Sequence, residues 1–386
     1  MIYLDNAATT YPKPFNVRKR ISESFAYAAN PGRAGHRMSI KASEVVFECR
    51  NKISNLFSVN NPENVIFTPS CTFALNTVIK GVLNRGDHVV ISSLEHNSVS
   101  RVVEKLKDSG QITYSVAKVY EGDDDATVDS FRSHLRDNTK LVVCTHASNV
   151  FGIKLPISRI GALCKFYGIL FCVDGAQTAG IFDTNLNTAD IDYFCAPGHK
   201  GLYGPMGIGF MIINTDTIPD SLYEGGTGSG SSELTQPLLL PDKFESGTLN
   251  LHAIAGLSAG VDFIKSRGIS RLYHQELSLI SYLYDNLRLI KGVNLYTNRP
   301  AEDSYVPLLS FNIDGYSSDE VASILNNKYS IAVRAGLHCS PLAHRHKHTD
   351  EIGTVRVCPS AFTTASDINS LIAAVKHIIH SKNFTS

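Results

Sequence analysis

The residue on which chemistry would turn is Lys200. It stands in Ala196-Pro197-Gly198-His199-Lys200-Gly201-Leu202-Tyr203-Gly204-Pro205, and glycines at 198, 201, 204, 207 and 209 leave little side-chain bulk around its amine. A flat cofactor could lie against backbone there, and an aldehyde cofactor needs an amine to join. In isolation the stretch reads more simply as a Gly-rich surface turn with an incidental lysine. Asp174 closes the apolar run Phe171-Cys172-Val173, where burying a carboxylate is costly without a positive partner. A protonated pyridine nitrogen is such a partner, and the carboxylate would keep that ring able to accept electrons. The plainer reading of Asp174 alone is a helix cap. His96, just past another apolar run, offers an imidazole to stack on a planar ring or to sit solvated in a loop. Cys339 follows His338 in a Gly-containing segment near Arg334, where a thiolate would be partly stabilised.

Such side chains need strand ends and loops to present them. From about residue 64 to 213, short apolar runs alternate with helix-length amphipathic stretches, the rhythm of a mainly parallel, helix-covered sheet. Strands are expected at Asn64–Phe67, His88–Ile91, Ile112–Val116, Leu141–Cys144, Leu170–Val173 and Gly207–Ile213, with a helix over Ser98–Lys107. Ligands gather where the strands of such sheets end. Gly225–Ser232 (GGTGSGSS) is the only biased segment, a linker or a loop that lets backbone approach a ligand. Beyond it, Leu251–Lys265 and Arg271–Leu289 read as helices, Val306–Ile313 as a strand and Ser318–Asn326 as a helix, so a smaller α/β domain is expected from about 250 onward.

Composition narrows the function classes. A chain of 386 residues exceeds what one core usually organises, which points to two domains. With 43% hydrophobic residues, 28 Gly and 15 Pro, it is neither disordered nor collagenous. Lys plus Arg (36) balance Asp plus Glu (36) and no basic run occurs, so neither nucleic acid nor an anionic membrane is an expected partner. The N-terminus lacks the basic start and apolar stretch of a secretory signal, and a cytoplasmic, soluble protein is expected. Eight cysteines include no C-x-x-C pair, and buried reduced thiols are the default for all but Cys339.

The ordered set Leu4-Asp5-Asn6-Ala7-Ala8-Thr9-Thr10, Glu95-His96, Ser148-Asn149-Val150-Phe151-Gly152, Val173-Asp174-Gly175-Ala176-Gln177, Gly198-His199-Lys200, Phe244-Glu245-Ser246-Gly247-Thr248, Val333-Arg334-Ala335-Gly336-Leu337-His338-Cys339 and Val355-Arg356 resembles the class V aminotransferase-fold enzymes that bind pyridoxal phosphate. Within that group it is similar to the cysteine desulfurases and selenocysteine lyases, nearly end to end. The resemblance implies an aminotransferase type I fold: a large cofactor-binding domain over 1–249, whose N-terminal segment can pack on the small domain, and a small α/β domain over 250–386 carrying Cys339 and Arg356. It implies Lys200 as the Schiff-base lysine, Asp174 on the pyridine nitrogen, and His96 stacked on the ring and catalytic. Asn149 and Gln177 would contact the ring hydroxyl, Asn149 also the substrate. Cys71 and Thr72, opening a helix-like stretch, would hold the phosphate with His199, as helix-start N–H groups suit an anion. Thr248 matches a phosphate contact that relatives supply from the second subunit of a homodimer. Arg356 matches the clamp on the substrate carboxylate, and Cys339 the sulfur-accepting thiol.

The implied reaction removes sulfur from L-cysteine, leaving L-alanine and a persulfide on Cys339, with a sulfur-acceptor protein as a further partner. Rival readings are a selenocysteine lyase, an aminotransferase or epimerase of the same fold, which would not need Cys339, and a non-catalytic scaffold, against which Lys200, Asp174 and Arg356 together argue. Three departures stand out. Pro197 replaces a hydroxyl residue, so a phosphate hydrogen bond is expected to be absent, with either a lower cofactor affinity or another donor such as Thr227 in its place; Ser70-Cys71-Thr72 replaces Gly-Thr-Thr; and Thr363 stands where Asn is common. The run His344-Arg345-His346-Lys347-His348, with no Cys or carboxylate in it, is expected to be an exposed loop rather than a metal site.

Overall fold

The computed structural model describes residues 1–32, 35–230 and 232–383. The chain runs through β1 (Ile2–Tyr3), α1 (Phe15–Ser24) and α2 (Arg37–Leu56) before strands and helices begin to alternate. There follow β2 (Val65–Thr68), α3 (Cys71–Val82), β3 (His88–Ser92), α4 (Asn97–Asp108), β4 (Thr113–Ala117), α5 (Asp124–His134), β5 (Thr139–Thr145), α6 (Ile157–Tyr167), β6 (Leu170–Asp174), β7 (Tyr193–Pro197) and β8 (Gly209–Ile213). The remainder comprises α7 (Leu251–Arg267), α8 (Ile269–Leu287), β9 (Val293–Leu295), β10 (Leu309–Ile313), α9 (Ser318–Tyr329), β11 (Ile331–Ala332), α10 (Pro341–His346), β12 (Val355–Val357) and α11 (Ala365–Asn383).

Seven strands form one sheet in the order β2-β8-β7-β6-β5-β3-β4, and β8 alone runs against the others. Both faces are covered, so the central strands are apolar on both sides, whereas the edge strand β4 alternates polar Thr113 and Ser115 with apolar Tyr114 and Val116. Val142, Cys144, Phe171 and Val173 face a core shared with α2, α6 and α7, whereas Leu141, Val143 and Cys172 face one shared with α3 and α4. A third core joins α8, α9 and α11 to the small antiparallel sheet β12-β10-β9. Leu4 is buried in that core, and β1 pairs with β11 in parallel.

The helices that follow the expected 249/250 division are shared between the two cores. The buried face of α7 packs with the large-sheet core, as does Leu272 early in α8, while Ile280, Leu283 and Leu287 further along α8 belong to the small core. The two cores therefore part within α8. The histidine run is corrected: Pro341–His346 is a short helix, His344 is fully buried and its Nδ1 lies 2.7 Å from the Thr349 hydroxyl. Among the described residues no His, Cys, Asp and Glu side chains cluster as a metal would require. No described helix is long and apolar enough to cross a membrane. Gly225–Ser232 forms an irregular, largely exposed segment, with Ser231 outside the described residues.

Candidate active site

At the edge where β2, β3, β5, β6 and β7 end lies a cavity of about 230 Å³, lined by residues from almost every motif of the sequence: Ala7, Ala8, Ser70, Cys71, Thr72, His96, Asn149, Asp174, Gln177, Pro197, His199, Lys200, Arg334, His338 and Arg356. The motifs at Ser70, His96, Asn149, Asp174 and His199-Lys200 lie at or just beyond the ends of β2, β3, β5, β6 and β7, so the parallel strands gather them, whereas Ala7, Arg334 and Arg356 come from segments built on the two smaller sheets. At α3 the Ser70 hydroxyl caps the helix by accepting from the Phe73 N–H at 3.2 Å. The close approach of β8 to this turn needs a glycine: a Cβ on Gly209 would stand 2.8 Å from the Ser70 carbonyl carbon and 2.9 Å from the Cys71 nitrogen.

Asp174 is 3% exposed. Its Oδ1 accepts from the Ala176 N–H at 2.9 Å and from the Cys71 thiol at 3.6 Å, so the expected capping contact is made, to a turn, by one oxygen. Burial raises the Asp174 carboxyl above the ordinary carboxylate range, and the N–H of Ala176 and the charge of Lys200 pull it back. The same burial lowers the Lys200 amine, which Asp174 opposes. The two groups are a desolvated acid and amine in one cavity, the arrangement that favours proton exchange with a ligand.

Three imidazoles face this cavity neutral. His96 is held down to about 4 by burial, then by Lys200, and its Nδ1 accepts from the Ser98 N–H at 3.1 Å, which fixes the ring at the start of α4. His199 is lowered to about 4 by burial, and its Nδ1 is buried without a partner. His338 is lowered to about 2 by burial, and its Nε2 lies 3.0 Å from the Thr354 carbonyl, which assigns the proton to Nε2 because a carbonyl can only accept.

The small domain closes the other side. Arg356, 1% exposed, donates through Nη2 to Asp5 at 2.9 Å and through Nη1 to the Asn149 carbonyl at 2.7 Å, and its Nε is buried without a partner. Asn149 itself is engaged: its amide donates to the His338 carbonyl at 2.8 Å and accepts from Ser340 at 2.6 Å. Gln177 donates to the Ala7 carbonyl at 3.1 Å. Cys339 is exposed and follows the cavity-lining His338, with Arg334 Nη2 at 3.7 Å from its sulfur and its carbonyl accepting from the Asn97 N–H at 2.8 Å. His338 and Cys339 both adopt left-handed backbone, at φ 50° and 59°.

Not every expected residue comes together. Thr248 lies outside this cavity, in a groove of about 580 Å³ with Phe67, Tyr223 and Phe244. Thr227 donates to the Ser229 carbonyl at 3.3 Å in the exposed segment and does not line the cavity. Thr363 is buried, and its hydroxyl accepts from the Ser360 N–H at 2.9 Å. Two contacts go beyond what the sequence suggests, where Arg334 has a role only beside Cys339 and Glu245 has none. Arg334 lines the cavity, and Glu245 forms a buried ion pair with Arg50, their side chains 5% and 6% exposed. Both stand inside quoted motifs, which was the available signal.

The sequence matches the family described as Aminotransferase class-V over residues 2–371. A protein named as a probable cysteine desulfurase from Methanothermobacter thermautotrophicus is 32% identical, with 98% of this chain and 94% of that one covered. One of the same name from Pyrococcus abyssi is 30% identical over 99% of this chain and 95% of its own. Among solved structures, the apo form of a cysteine desulfurase from Thermococcus onnurineus superposes with a TM-score of 0.89 at 29% identity, over 98% of this chain and 95% of that one.

Proposed function

We propose a function on the premise that this chain belongs to the class-V aminotransferase family: it converts L-cysteine to L-alanine, with pyridoxal 5'-phosphate as cofactor, and retains the sulfur as a persulfide on Cys339. The observation that carries this reading is the exposed Cys339 thiol beside Arg334, which itself lines the cavity that holds Lys200, Asp174 and Arg356. The cavity suits the cofactor chemically. It has a desolvated amine for an aldehyde, a buried carboxylate in want of a cation, and a helix start with an unpartnered His199 nitrogen for a phosphate.

When bound, the cofactor supplies an electron sink that makes the bonds at the substrate's α-carbon labile. The protein does the rest. Arg356 fixes the substrate carboxylate through its guanidinium, which Asp5 and the Asn149 carbonyl orient. Lys200 Nζ, lowered by burial, accepts and returns the α-proton. The neutral His96 ring, held at its Nδ1, presents a flat uncharged face. Cys339 sulfur then attacks the substrate sulfur. The substrate carbon–sulfur bond breaks and a sulfur–sulfur bond forms, so the carbon is reduced to the methyl of alanine while the two sulfurs share the oxidation.

Purified, cofactor-loaded protein is given cysteine or selenocysteine and alanine is measured. Cys339→Ser should bind the cofactor normally yet lose alanine production from cysteine, and wild type should gain one sulfur on the Cys339 peptide by mass spectrometry. Normal turnover in the Ser variant would assign the chemistry to a lyase or transaminase. The position of Thr248 outside its own cavity supports a homodimer in which it completes the partner's phosphate site. A monomer fully active at assay concentration would refute that part.

A further inference from the structure

Residues 2–13 are fastened at both ends, to different things. Their start is built into the small domain: Ile2 and Tyr3 pair with Ile331 and Ala332, Leu4 is buried in the core, and Asn6 Nδ2 donates to the Cys358 carbonyl at 2.9 Å. Asp5 carries Arg356. Their end converges on a single peptide, the one joining His199 to Lys200. The His199 carbonyl oxygen is approached by the Thr10 N–H at 3.1 Å, the Thr10 hydroxyl at 3.1 Å, the Thr9 hydroxyl at 3.2 Å and Lys13 Nζ at 2.7 Å. Lys13 Nζ also donates to the Thr10 hydroxyl at 2.7 Å, and that hydroxyl lies 3.2 Å from the Lys200 carbonyl. A carbonyl oxygen has two lone pairs, so four donors exceed what mere satisfaction requires, and the shortest contact is the charged one. Burial holds Lys13 down to about 8, as expected of an amine turned inward.

We propose that Lys13 is a positioning residue for Lys200: with Thr10 it fixes the plane of the peptide preceding the reactive lysine and ties that peptide to the segment that also holds Arg356. The proposal rests on the assignment of Lys200 made above. The orientation of that peptide sets the axis about which Lys200 turns and hence where its Cβ points. A four-carbon side chain magnifies any tilt at its base, and a misplacement of about 1 Å at a reacting atom costs on the order of a hundredfold in rate.

Lys13→Met, Thr10→Val and Thr10→Ser are prepared as full-length, cofactor-loaded proteins. At saturating cofactor, Lys13→Met should lower kcat for alanine formation about tenfold while the KM for cysteine stays within about twofold. Without substrate, the visible circular dichroism of its bound cofactor should differ from wild type, because the orientation of the chromophore has changed. Thr10→Val should move both readouts the same way and Thr10→Ser should restore them. A Lys13→Met protein with a lower urea midpoint but wild-type kcat and dichroism would overturn the proposal, since a purely structural role predicts that pattern. If Lys13→Met does not fold, the Thr10 pair decides, and a Thr10→Val protein indistinguishable from Thr10→Ser overturns it. Failure of the underlying assignment is visible separately, as normal turnover by Lys200→Ala, and would also overturn it.

Discussion

Replacing Glu245 with Gln tests the buried ion pair beneath the 244–248 segment. Glu245 Oε2 meets Arg50 Nη2, and Oε1 accepts from the Phe67 N–H at 2.7 Å. The Arg50 guanidinium also donates to the Val65 carbonyl and lies over the Phe67 ring, 4.7 Å from its centroid. Burial raises the Glu245 carboxyl and Arg50 pulls it back. Gln retains an oxygen for the Phe67 N–H but removes the charge, leaving a guanidinium desolvated without a counter-ion, a loss of about 3–5 kcal/mol. Ala would add about 1–3 kcal/mol for the orphaned N–H. Against total stabilities of about 5–15 kcal/mol, either loss is large. Urea unfolding of cofactor-free protein, followed by far-UV circular dichroism, should show Glu245→Gln lower in midpoint by about 1–1.7 M for a slope of about 3 kcal/mol/M. A double Arg50→Leu, Glu245→Leu protein should lose less than the sum of the single variants, because an apolar pair leaves no stranded charge. A Glu245→Gln protein within about 1 kcal/mol of wild type would refute the reasoning.

Asp174→Asn should lower kcat by roughly a hundredfold or more and change the KM for cysteine little, since an amide cannot carry the charge that the buried carboxylate offers a cationic ring. Rates within a few-fold would reduce Asp174 to its contact with the Ala176 N–H. Buried His88, His146 and His338 are lowered to about 4, 3 and 2 by desolvation, so the unfolded chain binds protons that the fold refuses once the pH falls below about 6.5. Buried Glu95 and Glu276, raised to about 8, bind protons in the fold and oppose this, but the histidines, with His96, His199 and His344 also lowered to about 4, outnumber them. Stability should therefore decline from pH 6.5 towards 4, and a urea midpoint that stays flat from pH 6.5 to 5 would count against these assignments.

Most of the large domain was legible because a doubly covered sheet writes its strands as unbroken apolar runs, as in Leu141-Val142-Val143-Cys144. Pairing direction was not, because nothing in Gly209–Ile213 distinguishes a strand running against its neighbours. Tyr193–Pro197 escaped notice since its run is short and ends in a proline; Pro197 sits on the last residue of β7, opposite Gly209, where the ladder is ending. The apolar richness of α7 could have belonged to either core, and only its packing assigned it. In the site, the motif order located Lys200, Asp174 and Arg356 together: Asp174 ends β6, Lys200 follows β7, and Arg356 sits inside β12 of the small sheet. Contacts across hundreds of residues left no local trace: Lys13 on the His199 carbonyl and Glu245 on Arg50 are visible only in three dimensions. The histidine run was misjudged because its alternation suggested a strand or loop, whereas Pro341 at the first helical position and the buried His344 make it a helix.

The stitching of the first residues into the small domain also sets a clock. Asp5 and Arg356, which grip one another, stand 351 positions apart in the chain. At a synthesis rate of about 5–20 residues per second, Leu4 and Asp5 leave the ribosome roughly 20–70 s before the residues that receive them exist. Through that interval the apolar Leu4 side chain, buried in the fold, and the Asp5 carboxylate both wait in solvent, and the cavity cannot acquire its second wall. The cavity is complete only once Arg356 has been made, and the segment that carries Asp5 finds its place no sooner.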